Sequence, residues 1–293
     1  MSRYRFIHAE RANYPITILC RVLAVARSAY YAWARCGVSA RARANEQLAA
    51  RIAAVHARSR RTYGAPRVHA ALRAQGVRCA RKRVARLMRA AGLVGCHRRR
   101  RARTTVADPA HTPAPNLVAR DFTASGPNRL WIGASTYLPT REGWLYLAVL
   151  LDTHSRRVVG WAMADHLRTE LALDALAMAL RARRPGAGLV HHTDRGSQYT
   201  AAAYQEALAA RGLVCSMSRA GECLDNAMAE SFFATLKAEL VADQQWPTRA
   251  AARTAIFEWL EVFYNRQRYH SALAYRSPVA HEERVLLLQD LAA

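Results

Sequence analysis

The sequence predicts an α/β protein, a mixed sheet flanked by helices and preceded by small all-α units. Three observations predict it. Three apolar runs joined by short turns, LWIGASTYL, GWLYLAVLLD and RRVVGWAM, lie between Leu130 and Met163. From Thr169 onward helix-like and strand-like stretches alternate. Ahead of Gly92 the spacing is helical and most of the chain's net positive charge is found.

The charge is unevenly distributed. The 293 residues carry 44 Lys and Arg against 21 Asp and Glu, a net +23. Residues 1–100 hold 23 of those basic side chains and 2 of the acidic ones, so nearly all of the excess lies in the N-terminal third. A solvated face normally mixes both signs, so a polyanion is the expected partner, and DNA is the usual one.

Residues 15–36 show helical apolar spacing at Ile18, Leu19, Val22 and Leu23. A break over Val25–Ser28 follows, then a short helix with Tyr30, Tyr31 and Trp33, with Ser28 as its expected N-cap. This is the outline of a helix-turn-helix, or of a plain helical hairpin. Three more helices are expected over Glu46–Arg58, Pro66–Ala74 and Ala80–Ala91. Pro66 suits a first turn, and Gly76 and Gly92 act as breakers. The last of them buries Val84, Leu87 and Met88 and leaves Arg81, Lys82, Arg83, Arg86 and Arg89 around a narrow stripe, as a groove-reading helix requires. A run of arginines (Arg98, Arg99, Arg100, Arg101, Arg103) then gives way to Pro109, Pro113, Pro115 and Pro127. This is a linker whose basic start would track phosphates.

The three apolar runs read as an antiparallel meander. A helix (Thr169–Arg183), a strand (Leu189–His191), a helix (Ala201–Ala210), a strand (Leu213–Ser216) and a helix around Glu230 follow. That order is the order of a ribonuclease-H-like fold. An amphipathic helix with Ile256, Trp259, Leu260 and Phe263 leads into YNRQRYHSAL, where Arg266 and Arg268 suit either a phosphate-contacting tail or packing on the core. The expected division is an N-terminal helix-turn-helix-like segment (1–45), a basic DNA-binding unit (46–100), a linker (101–127), a catalytic core (128–245) and a helical extension (246–293).

No apolar run approaches the roughly 18–20 residues of a membrane span, and the N-terminus lacks a signal peptide's apolar core. Six scattered cysteines without a CxxC pair suit the cytoplasm. His56, His69, Cys79 and Cys96 lack the tight spacing of zinc sites.

The chemistry concentrates between His191 and Lys237. Asp194 lies in a turn-rich segment after an apolar run, while Glu230 and Lys237 sit two turns apart on nearly one helix face. A carboxylate at a strand end and another on a helix can converge on divalent metal, and a lysine beside them can hold phosphate. That combination points to phosphodiester chemistry and calls for a third carboxylate.

The stretches YGAPRVHAAL, GWLYLAVLLDTHSRRVVGWAM, HHTDRGSQYT, SMSRAGECLDNAMAESFFATLKAEL and FYNRQRYHSALAYRSP resemble insertion-sequence transposases of the DDE class, in the branch whose second reading frame encodes a retroviral-integrase-like core. The resemblance implies three acidic residues holding two magnesium (or manganese) ions, and cleavage and joining of element-end DNA. It also implies assembly as a homo-oligomer on DNA and a first-reading-frame partner protein. Asp194 and Glu230 match the second and third acidic positions, and Lys237 the basic residue that follows. The first aspartate falls in a pattern of Trp, two residues, Asp, one residue, Thr-Tyr, and here that position is Ala134. Without that carboxylate, two-metal chemistry should be impaired and metal binding weakened. Either an altered transposase or a DNA-binding protein on an inactive scaffold would read this way.

Other residues take plainer roles. Asp152 is read as a turn cap ahead of Ser155 rather than a substitute ligand, and Asp121 is a poorer candidate still. His191 and His192 are read as ending a strand, and Ser197 has no nucleophile's setting. Asp225 and Asn226 are expected to cap the Glu230 helix, with a DNA contact from Asn226 as the alternative. Trp131, Trp144 and Trp161 are read as core.

Overall fold

A computed structural model describes residues 3–36, 39–96, 114–219, 222–242 and 244–291. It opens with α1 (Arg3–Glu10), α2 (Ile16–Val22) and α3 (Arg27–Cys36), packed around Ile7, Leu19, Cys20 and Tyr30. The sequence gives no sign of α1, an eight-residue helix with Ile7 as its buried residue and therefore no readable stripe. Two expectations change here. Ile18 and Val22 are exposed, because Leu19 and Cys20 form the buried edge of α2. Ser28 lies inside the first turn of α3 rather than capping it.

The second helical unit is α4 (Ala40–Arg58), α5 (Ala65–Ala74) and α6 (Arg81–Ala90). α4 starts six residues earlier than expected because the Ser39 hydroxyl accepts from the Ala42 amide. Pro66 occupies the first turn of α5, and Gly76 and Gly92 adopt positive φ where the helices break. The buried stripes of the three helices (Leu48, Ile52, Leu72, Val84, Met88) belong to the same apolar cluster as one face of the sheet.

The meander forms as expected, with β1 (Leu130–Thr140), β2 (Gly143–Asp152) and β3 (Val158–Ala164) antiparallel. Then follow α7 (Thr169–Arg183), β4 (Val190–Thr193), α8 (Ser197–Thr200), α9 (Ala202–Ala209) and β5 (Val214–Met217). The strand order is β3-β2-β1-β4-β5, with β4 parallel to β1 and β5 parallel to β4. This is the ribonuclease-H-like arrangement.

Alternation divides the sheet into two faces. Trp131, Ala148 and Leu150 pack with α7 and α9 on one, and Gly160 lets α7 approach so closely that a Cβ there would lie 2.3 Å from the Ala175 carbonyl oxygen. Ile132, Ala134, Leu147 and Val149 pack on the other with α10 (Ala227–Leu236) and α11 (Arg249–Phe257). Each of these two helices continues into a π-helical stretch, Lys237–Val241 and Glu258–Tyr264. α12 (Pro278–Asp290) closes the chain. The Asn265 amide finishes the edge of β3, accepting from the Val158 amide and donating to its carbonyl, each at 3.0 Å. None of the described helices is long and apolar enough to cross a membrane.

Candidate active site

Ala134 and Asp194 are brought together by strand register. β1 and β4 run parallel with Ile132 beside His192, so continuing that register two residues along each chain sets Ala134, within β1, level with Asp194, just past the end of β4. Asp194 Oδ1 accepts from the Gly196 amide at 2.9 Å, which shapes the turn after β4. Burial raises its carboxyl above the usual aspartate range, and the Gly196 bond acts against that. Ala134 is almost fully buried, and its methyl belongs to the cluster that contains Ala229, Phe232 and Phe233 of α10. Glu230, next to Ala229, is exposed. Two turns on, Lys237 Nζ stands 5.4 Å from the centre of the Tyr137 ring.

Neither Asp152 nor Asp121 takes the place of the third carboxylate. Asp152 pairs with Trp131 in the antiparallel register, so it projects from the sheet face opposite Ala134. It is fully buried, with Oδ1 accepting from the Ser155 amide and hydroxyl and Oδ2 from the Asn128 amide. Asp121 is fully exposed and closes its own turn by accepting from Thr123. Among the described residues, no group of three or more His, Cys, Asp or Glu could hold a metal ion. Ser197 begins the short helix α8 and is exposed.

The two histidines point to opposite faces. His191 Nε2 lies 2.8 Å from the Tyr204 hydroxyl, and burial pushes its pKa down to about 3, so it is neutral. His192 reaches Ser216 Oγ at 2.9 Å and the Asp225 carbonyl at 3.0 Å, joining β4 to the chain just ahead of α10. The Asp225 side chain does not cap α10 as expected. It has no exposed surface and accepts from the amide and guanidinium of Arg219, from Arg120 Nε and from Asn116 Nδ2. The hydrogen bonds from Arg219 hold its carboxyl well below the usual range. Asn226 occupies the N-cap position without a capping bond, and its buried Oδ1 makes no hydrogen bond. The Asp225 hub was not legible beforehand, since its donors come from residues 116, 120 and 219.

The expected DNA-contacting residues separate into two kinds. Arg81, Lys82 and Arg86 are exposed on α6, and Arg83 donates to Asn45 Oδ1 of α4 at 2.9 Å. Arg41, Lys82, Arg83 and Arg86 border an open groove of about 540 Å³. Arg266 is exposed as well. Arg268 is not on a surface: it is buried and grips Glu239 with Nε at 2.8 Å and Nη2 at 2.7 Å. Arg98, Arg99 and Arg100 lie outside the described residues. Trp131 is core and Trp161 is half-buried, but Trp144 is 48% exposed, edge-on to Tyr137 at 4.8 Å where β2 leaves the hairpin.

A five-stranded mixed sheet with acidic residues after β4 and on the helix that crosses it defines a protein of the integrase-core class. The chain matches the integrase core domain family over residues 124–223 and again over 211–278, and an HTH-like domain family over 43–101. It is 43% identical over 267 residues to the insertion element IS600 uncharacterized 31 kDa protein of Shigella sonnei, covering 91% of this chain and 98% of that one. It is 41% identical over 286 residues to the transposase InsF for insertion sequence IS3A of Escherichia coli strain K12, covering 97% and 99%. A chain of the simian T-cell lymphotropic virus intasome aligns over 73% of this chain and 69% of its own, at 17% identity and a TM-score of 0.46. The chain belongs to the IS3 family of insertion-sequence transposases.

Proposed function

We propose that this chain binds the ends of its insertion element through its cationic helical units, and that its core is a phosphoryl-transfer site lacking one of its three carboxylates. Ala134 carries that reading: it stands level with Asp194, beneath the helix that bears Glu230, and offers a buried methyl where a metal ligand is required. With Asp194 and Glu230 alone of the three carboxylates, this site would hold magnesium or manganese only weakly; such a metal would supply activation of the attacking oxygen. Lys237, two turns beyond Glu230, would hold a DNA phosphate. The proposal also takes the helical units (1–45 and 46–100), core (128–245) and extension (246–293) as separate functional parts. It further takes the protein to act in the cytoplasm, as a homo-oligomer on DNA or with a first-reading-frame partner protein.

Supplying the carboxylate tests the site. Ala134→Asp should gain magnesium-dependent cleavage and joining of element-end DNA, while the unaltered chain binds the same DNA without nicking it. Equal nicking by both proteins would sink the impairment, and no gain in the variant would sink the site. The second reading, a DNA-binding protein on an inactive transposase scaffold, is favoured by the same alanine and predicts binding alone.

A further inference from the structure

A cavity of about 110 Å³ between α5 and the core is not used by the chemistry above. Its wall comes from stretches far apart in sequence: Arg67 of α5, Arg156 of the β2–β3 turn, Ser231 and Thr235 of α10, and Arg268 and His270 after the second π-helical stretch. The space far exceeds the roughly 10–15 Å³ that one water needs, and it would admit one tetrahedral oxyanion.

Three guanidinium groups meet there against one carboxylate. Glu239 is gripped by Arg268 and lies 3.8 Å from Arg67 Nη1. Arg156 makes no ion pair among the described residues. His270 adds no compensating charge. Burial first, then the charges of Arg268, Arg156 and Arg67, push its pKa down to about 2. Two of the cations are held in place by aromatic rings, Arg67 over Tyr63 at 5.6 Å and Arg268 over Tyr264 at 5.8 Å. Arg156 has a left-handed backbone, φ +59°, uncommon for a residue that is not glycine. Arg67 and Arg156 are half-buried and Arg268 is buried, and like charges crowded at such a recess are unfavourable until a counter-charge sits between them.

We propose that this recess is a phosphate-binding site, taking one phosphate group between Arg67 and Arg156 with Arg268 behind it, and that its occupation fastens α5 to the core. The phosphate comes either from the backbone of bound DNA or from free phosphate ion. The site involves neither metal nor turnover, so it stands or falls independently of Ala134.

Thermal unfolding of the full chain tests it, in sodium phosphate against sodium chloride of matched ionic strength, without divalent metal. Millimolar phosphate should raise the midpoint by about 2–4 °C over chloride. Arg156→Asn, a residue that tolerates the left-handed backbone, and Arg67→Gln should each remove most of that shift. Arg211→Gln, which removes an exposed arginine outside the recess, should keep it. A shift no larger than in chloride, or one equal in all four proteins, overturns the site. If either recess variant fails to fold, the other carries the comparison. If both fail, broadening of the phosphorus NMR line of inorganic phosphate by the parent protein, matched by Arg211→Gln and absent when bovine serum albumin replaces it, supports the site, and no broadening overturns it. Duplex DNA then separates the two sources. Loss of the phosphate shift once DNA is bound, with DNA affinity at least about tenfold weaker in Arg156→Asn than in Arg211→Gln, assigns the recess to a DNA phosphate. A shift that persists on the DNA complex, with unchanged affinity, assigns it to the free ion.

Discussion

The arginines of α6 and those of the core do opposite work. On α6, Arg81 and Arg86 stand exposed in a region holding 23 basic and 2 acidic side chains. In the core, arginines are structural: Arg268 is buried on Glu239, Arg157 and Arg183 share Glu282, and Arg120 and Arg219 share Asp225. Cations serve binding where anions are scarce and architecture where each meets a carboxylate. Residue type does not separate the two roles, but local charge balance does.

The largest break in that contrast should come from Arg268→Gln. It leaves Glu239, whose side chain is 5% exposed, without its bidentate partner, and removing one member of a buried pair costs about 3–5 kcal/mol. Urea unfolding, without DNA or phosphate, should show the loss. A stable variant with weakened DNA binding would move Arg268 into the same class as Arg86.

Ala134→Asp sharpens the contrast by adding an anion where the core has none to match. A buried carboxylate beside Asp194 should cost roughly 1–3 kcal/mol in EDTA. Magnesium should recover that stability in the variant but not in the parent chain, because a metal that binds only the folded state raises its stability. An equal magnesium response in both proteins would mean that the ion binds somewhere other than Asp194, Glu230 and the new carboxylate.

How far these placements could be read from the sequence depends on the range of the forces involved. β1, β2, β3 and α7 follow from local alternation and turn residues, and the structure places them within about two residues of expectation. The turn that carries Asp194 and the helix that carries Glu230 were legible because each belongs to a short motif on a recognisable element. Asp225 and Trp144 were misread and the choice for Arg268 was open, because the partners that decide them are not fixed by the local pattern. Glu239 lies 29 residues from Arg268, Arg219, Arg120 and Asn116 lie 6, 105 and 109 from Asp225, and Tyr137 lies 7 from Trp144. The Arg67–Arg156–Arg268 recess was wholly illegible, since only tertiary packing joins α5 to the β2–β3 turn.

Acid should loosen the tie between α12 and α7. Burial alone would raise Glu282, but hydrogen bonds and charge from Arg183 and Arg157 outweigh it and hold its carboxyl below the ordinary glutamate value of 4.5. A carboxyl whose folded pKa is depressed contributes stability that is fully present above its unfolded pKa, and that contribution fades as pH falls through the folded one. Unfolding free energy should therefore decline below about pH 4.5, and Glu282→Gln should be less stable at pH 7 and flatter across that range. Parallel pH profiles for the two proteins would show that α12 is not tied to α7 through charge.

The smallest effect on stability, and the cleanest on function, belongs to α6. Arg86→Gln and Arg81→Gln remove exposed cations, so each should change unfolding free energy by no more than about 0.5 kcal/mol. If these residues meet DNA phosphates, each substitution should weaken binding across all sequences and lower the slope of log affinity against log salt by about one. A loss confined to one element-end sequence would mean instead that the residue reads a base edge, which is what a helix seated in the major groove permits. Retained affinity and an unchanged slope would leave the charge of the N-terminal third without a function on α6. The comparison of the two arginine classes would then fail at its exposed end, whatever the core variants show.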